Sequence, residues 1–417
     1  MSRICLITPG QPSINPRLVK EADALVAAGH DVNVLCSHTV SWADETDKKL
    51  LSTRKWNCSY VGGEKGSMLY LWTRLRYAAL RRFPAAWHAG SWLGDRIVSR
   101  VSPELLAAAV ECKADLYIAH YTGALSAAVF AARHNRSRVA FDAEDFESGY
   151  YDYDGGPKKI DLLVEDVERK FLPECCYLTA ASPGIATAYQ RKYGTFGLVT
   201  ILNVFSLSER PREFRTTSMT GPLRLYWFSQ TIGLGRGLED VIRAIGKLSD
   251  CEIEVHLRGL LRPDHWKQLQ GLLAANRVRS QSIVLHNPAP PDEMICSAAE
   301  FDVGLALEQP CTPNHDLCLS NKIFAYLLAG NAIAATATTG QQAIVKRLGK
   351  AAFLYAPGDV DALADGLRRW SRDREQLQQA RREAWSWGTH PFNWEVEKEK
   401  FLQVVEGALK KEMYCHW

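Results

Sequence analysis

The chain has 417 residues, 47% hydrophobic and 23% charged, which is too long for one ordinary core and predicts two domains of roughly 200 residues each. A formal charge of +3, with no long Lys/Arg run, argues against a nucleic-acid binder. No apolar stretch reaches the roughly twenty residues that span a bilayer. The eleven cysteines are odd in number and form no CxxC pair. They suit reduced thiols in a cytosol better than a disulfide framework or a zinc site, and the opening MSRICLITPG lacks the long apolar core and cleavage site of a secretory signal.

Residues 3–8, RICLIT, read as a buried strand. A Gly/Pro/Ser loop follows, then a helix with Asn15 as its cap and Pro16 at its first position. Gly29 ends that helix and VNVLC at 32–36 is the next strand, a unit of the kind that builds a parallel sheet. Residues 69–100 hold six Arg against Asp95 alone, interleaved with Tyr70, Trp72, Tyr77, Trp87 and Trp92. Two readings of that stretch stay open: core helices with solvated Arg, or a surface that rests on an anionic membrane.

The strand and helix rhythm returns with DLYIAH (115–120), RVAFD (138–142) and YLTA (177–180), and LVTILNVF (198–205) closes the first series. The irregular stretch 208–222 reads as a linker. A second series opens with LRLYWFS and continues through EIEVHLRG, SIVLH, DVGLAL, AIAAT and AFLY, with helices between. No short-period repeat is visible. The expected organisation is an N-terminal domain over 1–207, a linker over 208–222, a C-terminal domain over 223–390, and a final helical segment, 391–417, packing back on the first domain.

In open parallel sheets ligands sit beyond the carboxyl ends of the strands, which selects three loops. TPGQPSINPR brings Gly10, Ser13, Asn15 and Arg17. SQTIGLGRGLED brings Gly233, Gly235 and Gly237 around Arg236, without the GxGxxG or GK[ST] spacing of the common nucleotide loops. Its glycines admit a close backbone approach, and Arg236 supplies a permanent charge for two phosphate oxygens. EQPCTPNHDLCLSNK leads into a helix beginning near Ser320, whose face Ile323, Phe324, Leu327, Leu328 fixes it on a core and leaves its first turn as an anion site. An ordinary turn and an ordinary capped helix are the alternatives for these loops. His120, Asp142, Glu144 and Asp145 end neighbouring strands and are expected to face one crevice, where an imidazole beside carboxylates suits proton transfer.

Taken in order, the glycine loop, ADLYIAH, GxGRGLEDVIRAI, LRG, DVGLALE and SNKIFAYLLAG resemble a glycosyltransferase of the GT-B fold, similar to family 4. The resemblance implies two doubly wound Rossmann-like parallel-sheet domains facing across a cleft. It implies a hexosyltransferase-type enzyme moving a sugar from a nucleotide-diphosphate sugar to a glycan, lipid-linked or other acceptor, with retention, without a metal and with no further cofactor. Donor contacts are then expected from Gly10, Ser229, Gln230, Gly235, Arg236, Arg258, Gly259, Asn314, Asp316, Leu319, Ser320, Asn321 and Lys322. Catalysis falls to His120, Glu308 and Arg236, and the acceptor side to Ser13, Asn15, Arg17, Glu144 and Asp145.

Two positions depart from the family's pattern. Thr231 and Gln230 stand where a second basic residue is usual, and Ala325 replaces the glutamate that holds the ribose, with Leu317 eight residues earlier. Glu308 and Asp316 are the substitute carboxylates, and Ala325 is expected on the cleft side of its helix. Expected partners are a nucleotide sugar, a glycan or lipid-linked acceptor and an anionic membrane surface at residues 69–100, but no nucleic acid. The expected location is cytoplasmic, peripheral on the inner membrane face. A non-catalytic nucleotide- or glycan-binding partner protein and a sugar-nucleotide epimerase are the competing readings.

Overall fold

The computed structural model describes residues 1–87, 93–153, 155–195 and 197–410. Trp92 of the basic aromatic stretch and residues 411–417 of the final segment lie outside them. Thirteen strands among the described residues form two sheets, and every pairing in both is parallel. The first sheet holds β1 (Arg3–Ile7), β2 (Asp31–Ser37), β3 (Asn57–Val61), β4 (Leu116–His120), β5 (Arg138–Ala143), β6 (Tyr177–Ala180) and β7 (Leu198–Thr200), in the order β3-β2-β1-β4-β5-β6-β7. In the second, β8 (Leu223–Ile232), β9 (Ile253–Leu261), β10 (Ile283–His286), β11 (Val303–Ala306), β12 (Ala332–Thr336) and β13 (Ala352–Tyr355) run β10-β9-β8-β11-β12-β13. Strand order therefore reverses between β1 and β4 in one sheet and between β8 and β11 in the other. Those are the points where a doubly wound sheet opens a crevice at its carboxyl edge.

The local sequence explains the parallel arrangement. Strands covered by helices on both faces need apolar residues at successive positions rather than alternate ones. Ile4–Ile7, β4 and β12 are buried at every position. The helix Pro16–Ala27 starts where the sequence expects, with Asn15 Oδ1 accepting from Leu18 N at 3.0 Å and Pro16 at the first position; that proline lacks the N–H a helix start cannot satisfy anyway.

The chain divides into two compact units, Met1–Ile201 with Thr312–Asn314 and the C-terminal helix from Lys398 onward, and Leu202–Cys311 with His315–Glu397. The stretch 208–222, read as a linker, groups with the second unit. Thr217 N donates to Gln378 Oε1 at 2.7 Å, the Arg210 guanidinium lies 3.4 Å over the Trp385 ring, and Phe214 packs edge-on against the same ring.

In the second unit the helix Asn321–Ala329 is buried from Ile323 to Ala329. Ala325, expected on an open side, is 0% exposed, so the helix is rotated more fully into the core than its apolar pairs suggest. The cause lies on β11. Gly304 has no side chain, and the Tyr326 ring occupies the space: a Cβ at position 304 would lie only 2.2 Å from it. The Tyr326 hydroxyl then donates toward Tyr226 O and Leu305 O, each at 3.2 Å. Gly330 ends the helix in the left-handed conformation, and buried Arg381 donates to its carbonyl at 2.9 Å.

This packing predicts the effect of a single methyl group. Gly304→Ala should destabilise the protein by about 1 to 3 kcal/mol, the usual cost of overpacking. In a Tyr326→Ala background the same change should cost much less, because the clashing ring is gone. Equal losses in denaturant unfolding of the two backgrounds would show that the glycine matters for another reason.

Candidate functional site

The second unit centres its polar groups on Glu308, two residues past the end of β11. Its Oε1 accepts from Ser320 Oγ at 2.7 Å and from Lys322 Nζ at 2.6 Å, while Thr336 Oγ1 donates to its backbone oxygen at 2.6 Å. Burial pushes the Glu308 pKa up, but Lys322 and the serine bond outweigh it and the carboxyl is held below its ordinary value. It is therefore a fixed, ionised carboxylate. Ser320 occupies the cap position of the helix Asn321–Ala329 without a side-chain capping bond, because its hydroxyl is committed to Glu308. The result is a helix start, a lysine and a carboxylate gathered at the carboxyl edge of β11.

The glycine turn after β8 is shaped by contacts rather than by spacing. Gly235 and Gly237 have φ of +76° and +79°, and a Cβ on Gly237 would meet Leu307 at 2.6 Å. Only glycine lets this turn lie against the end of β11 in that conformation. Arg236 Nη1 donates to Ser229 Oγ at 2.7 Å in an exposed pair. Ser229 and exposed Gln230 lie where β8 shifts register against β9, between Phe228 and Thr231. Gly259 on β9 faces this irregularity, since a Cβ there would lie 2.4 Å from Ser229 O. Bulges of this kind re-aim side chains at the end of a strand.

Other expected donor residues have different employments. Arg258 donates through Nε to Tyr226 OH and through Nη1 to Asn287 O, both at 2.8 Å. Asp316 accepts from Thr339 N at 3.0 Å and from Thr339 Oγ1 at 2.7 Å, so it ties its loop to the helix Thr339–Val345. Leu319 is half-buried and Asn321 exposed. Asn314 groups with the first unit: its Oδ1 accepts from Phe146 N at 2.7 Å and its Nδ2 donates to Asp145 Oδ1 at 3.2 Å.

In the first unit the expected crevice pair is a buried ionic quartet. Arg17 donates to both Asp142 oxygens at 2.7 Å and to Ile201 O at 2.5 Å. His120 stands 3.3 Å from Glu21 and 3.4 Å from Asp142, and Glu21 is 3.5 Å from Arg17. None of the four is more than 1% exposed. His120 and Arg17 thus do not open to a crevice as the sequence suggested; they neutralise two carboxylates beneath the strand ends. Glu21, His120 and Asp142 could in geometry hold a cation, but Arg17 already occupies both oxygens of Asp142 and supplies the positive charge.

The crevice at the switch point is instead a cavity of about 330 Å³ lined by Thr8, Gly10, Asn15, Ser99, Arg100 and Tyr121 among others. Asn15 Nδ2 and Ser99 Oγ are buried there with no hydrogen-bond partner among the described residues. Tyr121 has φ +66°, a conformation rare for a side chain of its size and most often kept at functional sites. Gly10, expected on the donor side, therefore belongs to a first-unit cavity. Ser13 is not in its lining; its N–H donates to Asp47 Oδ1 at 2.8 Å. Glu144 accepts from Tyr121 OH at 2.9 Å, and burial and then Asp145 push its pKa up to about 7. Asp145 accepts from Tyr150 OH at 2.6 Å.

Sequence reading passed over Glu21, Arg100, Thr336 and Thr339. Glu21 carried a usable signal, since it lies four residues after Arg17 on one helix face; each of the other three meets its own partners only through the fold of its unit.

The quartet makes stability depend on pH. Burial disfavours the His120 cation, but Glu21 and Asp142 raise its pKa from 6.5 to about 9. Its contribution is complete below pH 6.5 and lost as pH rises through about 9. Glu144 at about 7 and Glu147 at about 8 act in the same direction, so the comparison needed is with His120→Gln. The variant should lose less stability than the parent between these pH values in denaturant titrations. Parallel curves would show that His120 is not charged in the folded protein.

No family model and no curated protein matches the chain. Solved structures do. A glycosyltransferase from Rickettsia africae ESF-5 aligns with TM-score 0.72 at 12% identity over 99% of each chain. Sucrose-phosphate synthase from Thermosynechococcus elongatus aligns with TM-score 0.70 at 14% identity over 98% of this chain and 99% of that one. Anabaena HepE, in complex with UDP-glucose, aligns with TM-score 0.68 at 14% identity over 98% and 100%. At such identities the likeness is one of architecture, and the chain has the GT-B fold of these glycosyltransferases over essentially its whole length.

Proposed function

We propose that the protein is a glycosyltransferase that takes a nucleotide-diphosphate sugar on its second unit and an acceptor on its first. The observation that carries this reading is the Glu308, Ser320 and Lys322 set at the start of the helix Asn321–Ala329. A helix start and a lysine favour the negative diphosphate, and a fixed carboxylate beside them can hold sugar hydroxyls. Arg236, on its glycine turn, adds a permanent cation. Cleaving a sugar–phosphate bond puts charge on the leaving diphosphate, and preset cations and backbone dipoles stabilise it without reorganising. Transfer with retention and without a metal belongs to the same reading, since protein groups carry the neutralising charge.

The uridine nucleotide is the first donor to try, since HepE of the same fold holds UDP-glucose. For the acceptor, the first-unit cavity offers the buried, unpartnered Asn15 Nδ2 and Ser99 Oγ as donors and Arg100 as a cation. That lining suits a hydroxylated or anionic molecule. A cytosolic place of action is supported by the ten described cysteines, none of which is joined in a disulfide.

The test is a thermal-shift panel of UDP, GDP, ADP and CDP sugars, since a ligand at about 100 times its Kd adds about 2.7 kcal/mol. Arg236→Ala should weaken nucleotide-diphosphate binding far more than nucleoside binding. Glu308→Gln keeps the shape of the carboxylate but not its charge, and should leave donor affinity within about twofold while lowering kcat about tenfold or more. A stabilising donor that is never transferred or hydrolysed would instead identify a non-catalytic binder, and epimerised donor formed without acceptor would identify an epimerase. No shift with any donor would remove the donor site altogether.

A further inference from the structure

The helix Met68–Arg81 of the first unit is amphipathic in the reverse of the usual sense. The side that faces the protein is largely polar, with Leu80 near its end packed on Ile97 and Leu163. Thr73 is buried and its hydroxyl meets Arg100; Arg76 donates to both Glu104 oxygens at 2.7 and 2.8 Å; Tyr77 OH donates to Ile97 O at 3.2 Å. These bonds fix the helix's rotation, so it cannot roll to hide its other face. That face carries Met68, Leu69, Leu71, Trp72 and Leu75, and Phe83 follows the helix; each of the six is at least 47% exposed. They are six of the sixteen large apolar side chains exposed among the described residues, gathered within 16 positions of the sequence.

The charges that this segment itself carries have one sign, and of them Arg76 is paired with Glu104. Residues 65–87 contain Lys65, Arg74, Arg76, Arg81 and Arg82 and no acid. Beyond the helix end, Arg81, Arg82, Lys158 and Lys159 line a cavity of about 720 Å³ with Tyr77 and Trp87, and no acidic residue lines it among those described. No helix among the described residues is long and apolar enough to cross a membrane, whereas one of 14 residues, about 21 Å long, can lie flat in an interface.

We propose that the helix Met68–Arg81 seats the first unit on an anionic bilayer. Leu71, Trp72 and Leu75 enter the interface, Arg74, Arg81 and Arg82 meet lipid phosphates, and the cavity beside Lys158 and Lys159 takes a phosphate headgroup. Charge selects this occupant over a second copy of the chain. Pairing the face with itself would set the same arginines against each other, whereas an anionic surface complements them. The inference does not rest on the transferase reading, because vesicle binding is measured with no sugar donor present.

Sedimentation with vesicles tests it. The full chain should bind phosphatidylcholine vesicles containing phosphatidylglycerol, weaken as salt rises, and bind poorly to phosphatidylcholine alone. Replacing Leu71, Trp72 and Leu75 together by Ser should lower binding about tenfold or more, with circular dichroism and melting temperature unchanged because these side chains are exposed. Arg81→Glu with Arg82→Glu should abolish the preference for anionic vesicles. Absence of binding to either vesicle, or binding that survives the triple replacement, would overturn the proposal. So would a dimer in solution that the triple replacement dissociates, which would show that a second copy covers the face.

Discussion

In both sheets every strand pairs in parallel with its neighbours, and the site depends on that constraint. A parallel neighbour can be reached only by a crossover along one face, so all carboxyl ends and the loops that leave them gather at one edge. In the second unit this brings the Arg236 turn after β8, Arg258 on β9 and Glu308 after β11 to the same edge, although they are far apart in sequence. In the first unit it does the same for Gly10, Ser37 and Tyr121. Neither gathering needs a sequence motif beyond the apolar runs that make strands.

The two units treat charge at those edges in opposite ways. In the first, Arg17, Glu21, His120 and Asp142 form a closed set, buried at the cost of desolvation and balanced internally. It ties the helix Pro16–Ala27 to β4 and β5 and, through Ile201 O, to the chain leaving β7. Such a set supports a site from below. In the second unit Glu308 and Lys322 are only partly covered, at 31% and 16% side-chain exposure, and Arg236 is exposed beside its serine. Charges left near solvent can exchange a protein partner for a ligand, which the buried quartet cannot do without losing several kcal/mol.

Within the first unit the exposed apolar helix and the cavity share structure. Thr73 on the inner side of the helix meets Arg100, and the Tyr70 ring lies 4.9 Å from the Arg100 guanidinium. Arg100 in turn lines the cavity that contains Gly10, Asn15 and Tyr121. A load on the outer face of the helix is therefore one side chain away from the cavity wall.

The class of fold was legible in the order of residues alone. Apolar runs such as ICLI and AIAAT are long enough only for strands, the helices between them enforce parallel pairing, and the order of SNKIFAYLLAG after DVGLALE pointed to the GT-B arrangement. That order also located the Asn15 cap, the Arg236 turn and the Ser320 helix start, because caps and glycine turns are written in neighbouring residues. Which side chains face outward was decided only by tertiary packing. The rotation of the helix Asn321–Ala329, and with it the burial of Ala325, is set by Tyr326 filling the space that Gly304 leaves 22 residues earlier. His120 looked available beside strand-end carboxylates, yet Glu21, from a helix about 100 residues away in the chain, and Asp142, itself held by Arg17, enclose it. The stretch 69–100 left two readings open because periodicity gives the faces of a helix but not their direction. Its polar bonds to Arg100, Glu104 and Ile97, formed across the fold, turn the apolar face to solvent.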